Sequence, residues 1–267
     1  MFSGHPDCRL YHNEDVLLMI EFRNVSKTLG GRRVLDGLSF HVKEGETFII
    51  VGPSGTGKSV TLSHIIGLMQ PDSGDVIVDG MHVERMHRRE LEALRSGTGM
   101  LFQGGALLNW MNIYDNVALP LRERYSYTEE QIREKVMEML AFLELEDSMY
   151  KMPGEISGGM VKRAGLARAV VCNPKIMLYD EPTSGLDPVM SRKIDGLIDT
   201  LKSKYRMTSV VVTHDLVSAL NIGDTVAMLY DGSMIECGAP ADFMKSENPL
   251  VREFISAQFH TRKAGVL

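Results

Sequence analysis

From Met19 the chain alternates apolar and polar residues with a period of two, first in MIEFRNV and then, after Gly30-Gly31, in VLDGLSFHV. That period gives a strand one buried and one exposed face, so two short strands joined by a turn are predicted. TFIIV, residues 47–51, is apolar without a break, as a strand covered on both faces must be. DVIVDGMHV predicts two more short strands around Asp79-Gly80, a dipeptide that accepts the positive φ angles of a hairpin turn.

Between Arg88 and Ala141 the pattern turns mostly helical, with Thr128 and Gln131 spaced as a capping box ahead of IREKVMEMLAFL. Helix and strand signals then alternate: MVKRAGLARAVV, KIMLYDE, MSRKIDGLIDTLKS, SVVVT, LVSALNI, and finally the strands VAMLY and SMIEC. Such alternation predicts a parallel sheet covered by helices. In the tail, VREFI reads as a short amphipathic helix.

Composition narrows this picture. At 267 residues and 44% hydrophobic, the chain has material for one large domain or two small ones. No apolar stretch approaches the roughly 18 residues of a membrane helix. The first twenty residues lack the basic flank and long apolar region of a secretory signal, so residence in the cytoplasm is expected. Residues 1–18 are polar and irregular and read as a frayed extension. Cys8, Cys172 and Cys237 lie far apart with no C-x-x-C, which points to neither a zinc site nor a disulfide framework, with Cys172 and Cys237 as small core residues. A net charge of −6 argues against nucleic acid as a partner.

Three stretches carry chemistry. GPSGTGKS, Gly52 to Ser59, matches G-x-x-x-x-G-K-[ST] and lies between a predicted strand and a predicted helix. Its glycines let successive backbone N–H groups curl around phosphates, Lys58 reaches the terminal phosphates, and the Ser59 hydroxyl can ligate Mg²⁺. IMLYDE sets Asp180 and Glu181 side by side at the end of an apolar strand, where paired carboxylates are costly unless a cation or water meets them. Asp180 then suits Mg²⁺ and Glu181 the general base. In ISGGMVKRAGLARAV, Ser157, Gly158 and Gly159 precede a helix whose first turn has bare N–H groups. Alone that is a helix cap; between the other two motifs it becomes a second phosphate site.

In this order the motifs resemble the nucleotide-binding subunit of an ATP-binding cassette (ABC) transporter, from about Met19 to beyond Gly238. The resemblance implies an α/β fold: a P-loop NTPase (RecA-like) parallel-sheet core with an antiparallel β subdomain and an inserted helical subdomain. The domain would span 19–240, the insertion about 88–160, and a helical tail 241–267. By the same resemblance, the nucleotide-binding Walker A loop is Gly52, Pro53, Ser54, Gly55, Thr56, Gly57, Lys58 and Ser59, with Val60 following. Gln103 is the Q-loop glutamine, Ser157-Gly158-Gly159 the signature, SGLD ending in Asp187 the D-loop, and His214 the switch histidine. Lys58, Gln103, Glu181 and His214 would be catalytic, and Ser59, Gln103 and Asp180 would meet Mg²⁺. ATP would join two copies head to tail, each signature closing on the other's P-loop.

Two positions depart from the family's pattern. Met160 stands where Gln is frequent, and Leu29 replaces an aromatic that stacks on adenine. Looser base selectivity is the expected consequence.

One segment, MLFQGGALLNWMNIYDNVALPL, is apolar yet interrupted by Gly104, Gly105, Asn109 and Asn112. In ABC proteins the stretch after the Q-loop glutamine receives a coupling helix from the membrane permease. Leu107, Leu108, Trp110 and Met111 would form that surface, with Trp110 as anchor; the alternative is that Leu107, Leu108 and Met111 pack the helical subdomain. FQGGALLNWMNIYDNVALPLRE and SGGMVKRAGLARA further resemble the ATPase of Mla/Mce-type lipid transporters, with Leu108 where Phe is frequent. That resemblance implies phospholipid cargo, permease subunits, a periplasmic Mce-type lipid-binding protein, and a place on the cytoplasmic face of the inner membrane. Other cargo (amino acid, metal or lipoprotein) keeps the same engine. A non-transport cassette of translation or DNA repair needs a second cassette or a long coiled coil, for which the interval from Lys58 to Ser157 leaves no room.

Overall fold

The structure is a computed structural model that describes residues 17–260. Most of the extension expected over 1–18, and the end of the expected tail, 261–267, lie outside the described residues. The chain divides into two compact units, Met1–Leu91 with Thr208–Leu267, and Glu92–Met207.

The first unit contains β1 (Leu18–Leu29), β2 (Arg32–Lys43), β3 (Thr47–Val51), α1 (Lys58–Ile65), β4 (Ser73–Val78) and β5 (Met81–His82). The boundary falls inside α2 (Arg88–Ser96). The second unit holds β6 (Thr98–Leu101), α3 (Ile113–Arg124), α4 (Glu129–Phe142), α5 (Gly158–Val170), β7 (Ile176–Asp180) and α6 (Pro188–Tyr205). The first resumes with β8 (Thr208–Thr213), α7 (Leu216–Ile222), β9 (Thr225–Tyr230), β10 (Ser233–Gly238), α8 (Pro240–Phe243) and α9 (Pro249–His260).

In the first unit an antiparallel sheet runs β2-β1-β4-β5, and its two-residue turn uses Asp79 and Gly80, both at positive φ. A second set runs β10-β9-β3-β8, with β3 parallel to both neighbours. All five residues of β3 are buried, which accounts for its unbroken apolar sequence. Phe22, Phe40 and Phe48 stack in series, with ring centroids 4.5 and 5.1 Å apart, and join β1, β2 and β3 in one core. In the second unit β6 and β7 are parallel. The α4 capping box forms as expected: Gln131 N–H donates to Thr128 Oγ1 and Thr128 N–H to Gln131 Oε1. This is the α/β arrangement of parallel strands, antiparallel sheet and helix-rich segment that the residue pattern predicts.

The stretch from Arg88 to Ala141 is mostly helical, as expected, with one strand added, and the expected burial of two cysteines needs correction. β6 lies inside the stretch read as mostly helical; its four residues are too few to show a period. Cys172 and Cys237 are half-buried and not core, and Cys172 is a free thiol.

Candidate functional site

The phosphate loop leaves the end of β3 and turns into α1 through Gly57, whose φ of 103° is open to glycine. A Cβ on Gly57 would also lie 2.8 Å from the Val34 carbonyl oxygen. Lys58 is buried and curls back over the loop, its Nζ donating to the carbonyls of Gly52 (2.8 Å) and Pro53 (2.9 Å). Thr56 Oγ1 donates to the Pro53 carbonyl at 2.9 Å and braces the same turn. Pro53, Ser54, Gly55 and Ser59 are exposed, and Thr56 and Val60 are half-buried. An ammonium held beside exposed backbone at a helix N-terminus is an arrangement that can receive an anion.

A cavity of about 330 Å³ adjoins the loop, lined among others by Arg32, Arg33, Gly55, Thr56 and Tyr230. Leu29 is exposed and is not among its lining residues, whereas Tyr230 supplies an aromatic ring. The sequence offered no motif for Arg32, Arg33 or Tyr230, because they reach the loop from β2 and β9.

In the register of β3 and β8, Val51 pairs with Thr213, so Gly52 and His214 leave the same end of neighbouring parallel strands. Ligands of parallel sheets bind beyond such strand ends. His214 is exposed. Asp215 caps α7, its Oδ1 accepting from Val217 N–H (2.9 Å) and Ser218 N–H (3.3 Å).

In the second unit Leu101 pairs with Tyr179 across β6 and β7, which brings Gln103 and Glu181 to the same strand ends. Gln103 is exposed, Asp180 half-buried and Glu181 buried. Glu181 has a φ of 50°, a left-handed backbone that a glutamate adopts only under constraint. Ser157 caps α5 through Met160 N–H at 3.4 Å, so the cap reading of this motif holds, and Gly158 is exposed on the first turn. Gly159 is buried, and a Cβ there would fall 2.6 Å from Met190 Cε. Asp187 is exposed and caps α6, its Oδ1 accepting from Val189 and Met190 N–H at 2.9 and 3.1 Å.

Trp110 is 73% exposed, whereas Leu107, Leu108 and Met111 are half-buried. The loop holding them is organised by Asn116, a fully buried side chain. Its Oδ1 accepts from Leu108 N–H (2.7 Å), and its Nδ2 donates to the carbonyls of Leu108, Met111 and Asn112 at 3.0–3.1 Å. An Asn on the otherwise apolar stripe of Ile113, Val117 and Leu121 was the available signal.

A sequence profile described as ABC transporter matches residues 35–184. The probable ribonucleotide transport ATP-binding protein mkl of Mycobacterium tuberculosis is 42% identical over 239 residues, 90% of this chain and 67% of that protein. The intermembrane phospholipid transport ATP-binding protein MlaF of Escherichia coli K12 is 38% identical over 242 residues, 91% of this chain and 90% of that protein. The methionine import ATP-binding protein MetN of Carboxydothermus hydrogenoformans is 41% identical over 242 residues, 89% and 72% of the respective chains. Among solved structures, the dimeric bacterial ABC transporter cassette MJ0796 is similar with a TM-score of 0.77 and 35% identity, over 83% of this chain and 99% of that one. The same cassette in a post-hydrolysis state bound to ADP and Pi matches with the same TM-score.

Proposed function

The chain belongs to the ABC transporter family as an ATP-hydrolysing subunit, and from that premise we propose that it powers phospholipid transport at the bacterial inner membrane. The observation that carries the cargo is the MlaF match, which spans about nine-tenths of both chains, whereas mkl and MetN extend well beyond the matched region. The MetN likeness favours an amino-acid cargo as the second reading.

Residues 19–240 form the ATPase domain in this reading, with its helical part near 88–160. Lys58 and the loop from Gly52 to Val60, through the N–H groups of its residues other than Pro53, hold the phosphates of ATP. Ser59, Asp180 and Gln103 present hard oxygen donors of the kind Mg²⁺ takes, and the ion when bound offsets phosphate charge. Glu181 accepts the proton of the attacking water, while Gln103 and His214 orient that water and the γ-phosphate. Ser157, Gly158, Gly159 and Asp187 act on the nucleotide of a second copy in a head-to-tail homodimer. Trp110 and its neighbours grip the permease, which links the subunit to an Mce-type lipid-binding protein in the periplasm. No helix among the described residues is long and apolar enough to cross a membrane, which suits a peripheral place on the cytoplasmic face.

One preparation tests the reading. Glu181→Gln keeps the shape of the base and removes its function, so with ATP and Mg²⁺ the variant should sediment as an ATP-loaded dimer and, purified with its permease, carry phospholipid. A monomer at saturating ATP would refute the head-to-tail site, and bound methionine in place of lipid would refute the cargo.

A further inference from the structure

Of the three cations on α5, buried Arg163 donates to the Leu143 carbonyl at 2.6 Å, whereas Lys162 and the half-buried Arg168 reach the backbone around Gln103. Lys162, 5% exposed, lies one turn inside the helix, and its Nζ donates to the backbone carbonyl of Glu181 at 2.9 Å and to that of Gln103. Six residues further on, Arg168 donates to the carbonyls of Ala106 (2.7 Å) and Gly105 (3.2 Å). Both cations therefore end on backbone oxygens of the turn that follows β6, and Lys162 also ends on the residue that follows β7. The helix itself presses on that turn: a Cβ on Gly165 would lie 2.9 Å from the Gly105 carbonyl oxygen.

The two backbones held this way are strained. Glu181 and Ala106 both have a φ of 50°, where side-chain-bearing residues persist only if their surroundings hold them. Charged donors make hydrogen bonds roughly twice as strong as neutral ones, and burial strengthens them further. Burial pushes the Lys162 ammonium below its usual range, and the carboxylates of Glu181 and Asp180 counter that shift.

We propose that Lys162 is a positioning residue for ATP hydrolysis, pinning the Gln103 and Glu181 backbones at a fixed separation and tying both to the helix that begins at Ser157-Gly158-Gly159. The inference rests on the reading of Gln103 and Glu181 as hydrolytic residues. One side chain then joins three motifs far apart in sequence, and movement of α5 is passed to the strand ends through hydrogen bonds to their main chain. Lys162 touches no substrate in this scheme; its effect runs through where it puts Glu181 and Gln103.

The test compares Lys162→Met, which removes the donors at similar length, with Lys162→Arg, which keeps a charged donor with more than one N–H. Steady-state ATPase of the full chain is measured beside ATP binding and thermal melting. A small displacement of reacting groups costs on the order of 10- to 100-fold in rate, so Lys162→Met should lose that much kcat while KM stays within about twofold. Lys162→Arg should recover most of the loss. In a Glu181→Gln background Lys162→Met should add no further loss of kcat. A kcat within about twofold of wild type for Lys162→Met overturns the proposal. So does a loss that Lys162→Arg does not repair and that follows a lowered melting temperature. Should Lys162→Met fail to fold, Lys162→Gln keeps a neutral donor and carries the same comparison: several-fold lower kcat at unchanged KM supports the role, and an unchanged kcat overturns it. If Glu181→Gln itself hydrolyses ATP normally, the site reading fails; if Glu181→Gln is inactive and Lys162→Met is not, the positioning role alone fails.

Discussion

Trp110→Ala separates an interface anchor from a core residue. Fully burying an aromatic side chain removes about 150–250 Å² from water, worth ~25 cal/mol per Å². With Trp110 73% exposed, only about a quarter of that area is covered, which caps the stability loss from truncation near ~1.5 kcal/mol. A buried tryptophan would instead cost about 3–5 kcal/mol, cavity included. The neighbouring backbone is held by Asn116 and not by the indole, since the Asn116 amide bonds Leu108, Met111 and Asn112 directly. The loop should therefore keep its form without the ring. As an anchor in the permease groove, Trp110 should contribute on the order of 2 kcal/mol or more to binding, about a thirtyfold change in Kd. Thermal melting of the isolated subunit beside co-purification with the permease reads both quantities. Near-wild-type melting and basal ATPase with a weakened complex is the expected result. A melting loss of core size with the complex intact would refute the interface role.

Two further outcomes follow from single residues. Leu29 offers no flat face for a base, so ATP and GTP should compete within a few-fold, and Leu29→Tyr should tighten both by about 1–3 kcal/mol if the ring reaches the base; strong ATP preference in a competition titration of the wild type would show that another group reads the base. His64 is fully buried in α1 with its Nδ1 2.8 Å from the Val60 carbonyl, and burial lowers its pKa below 6.5. The unfolded chain then takes up the proton first, so this residue's contribution is present above pH 6.5 and is lost as pH falls below it, by at most ~1.4 kcal/mol per unit. Urea denaturation at pH 7.5 and 5.5 should show a shallower pH slope in His64→Leu, and an unchanged slope would exclude the histidine as its source.

The elements most legible in the sequence are those whose signal is local. The unbroken run in β3, the Asp79-Gly80 turn and the Thr128–Gln131 capping box each lie within a few residues of the structure they specify. β6 was not legible, because four residues, one of them Gly99, show neither period. α3 could be read only coarsely: Pro120 lies inside it, and a proline in a helical pattern reads as a stop. Its conformation there depends on packing that no single window records, including a buried Asn116 tied to the preceding loop.

The candidate site divides the same way, and the division has a physical cause. A loop of this motif holds phosphate with backbone N–H groups, so glycine spacing and one lysine write it into eight adjacent residues. Lys162 does its work at separations of 59 and 19 residues, on carbonyl oxygens that every residue type possesses. No residue type at the accepting end could reveal the partnership. What the sequence does hold is the cost: Lys162 is followed by Arg163 and lies one turn from Gly165 and Leu166, in a stretch of helix that the structure buries. A buried ammonium is unfavourable unless acceptors meet it, so a cation in such a stretch beside a phosphate-site motif demands acceptors from distant chain. In this fold they come from the strand ends that carry Gln103 and Glu181, so a residue invisible as a motif bonds directly to the backbone of two that are visible.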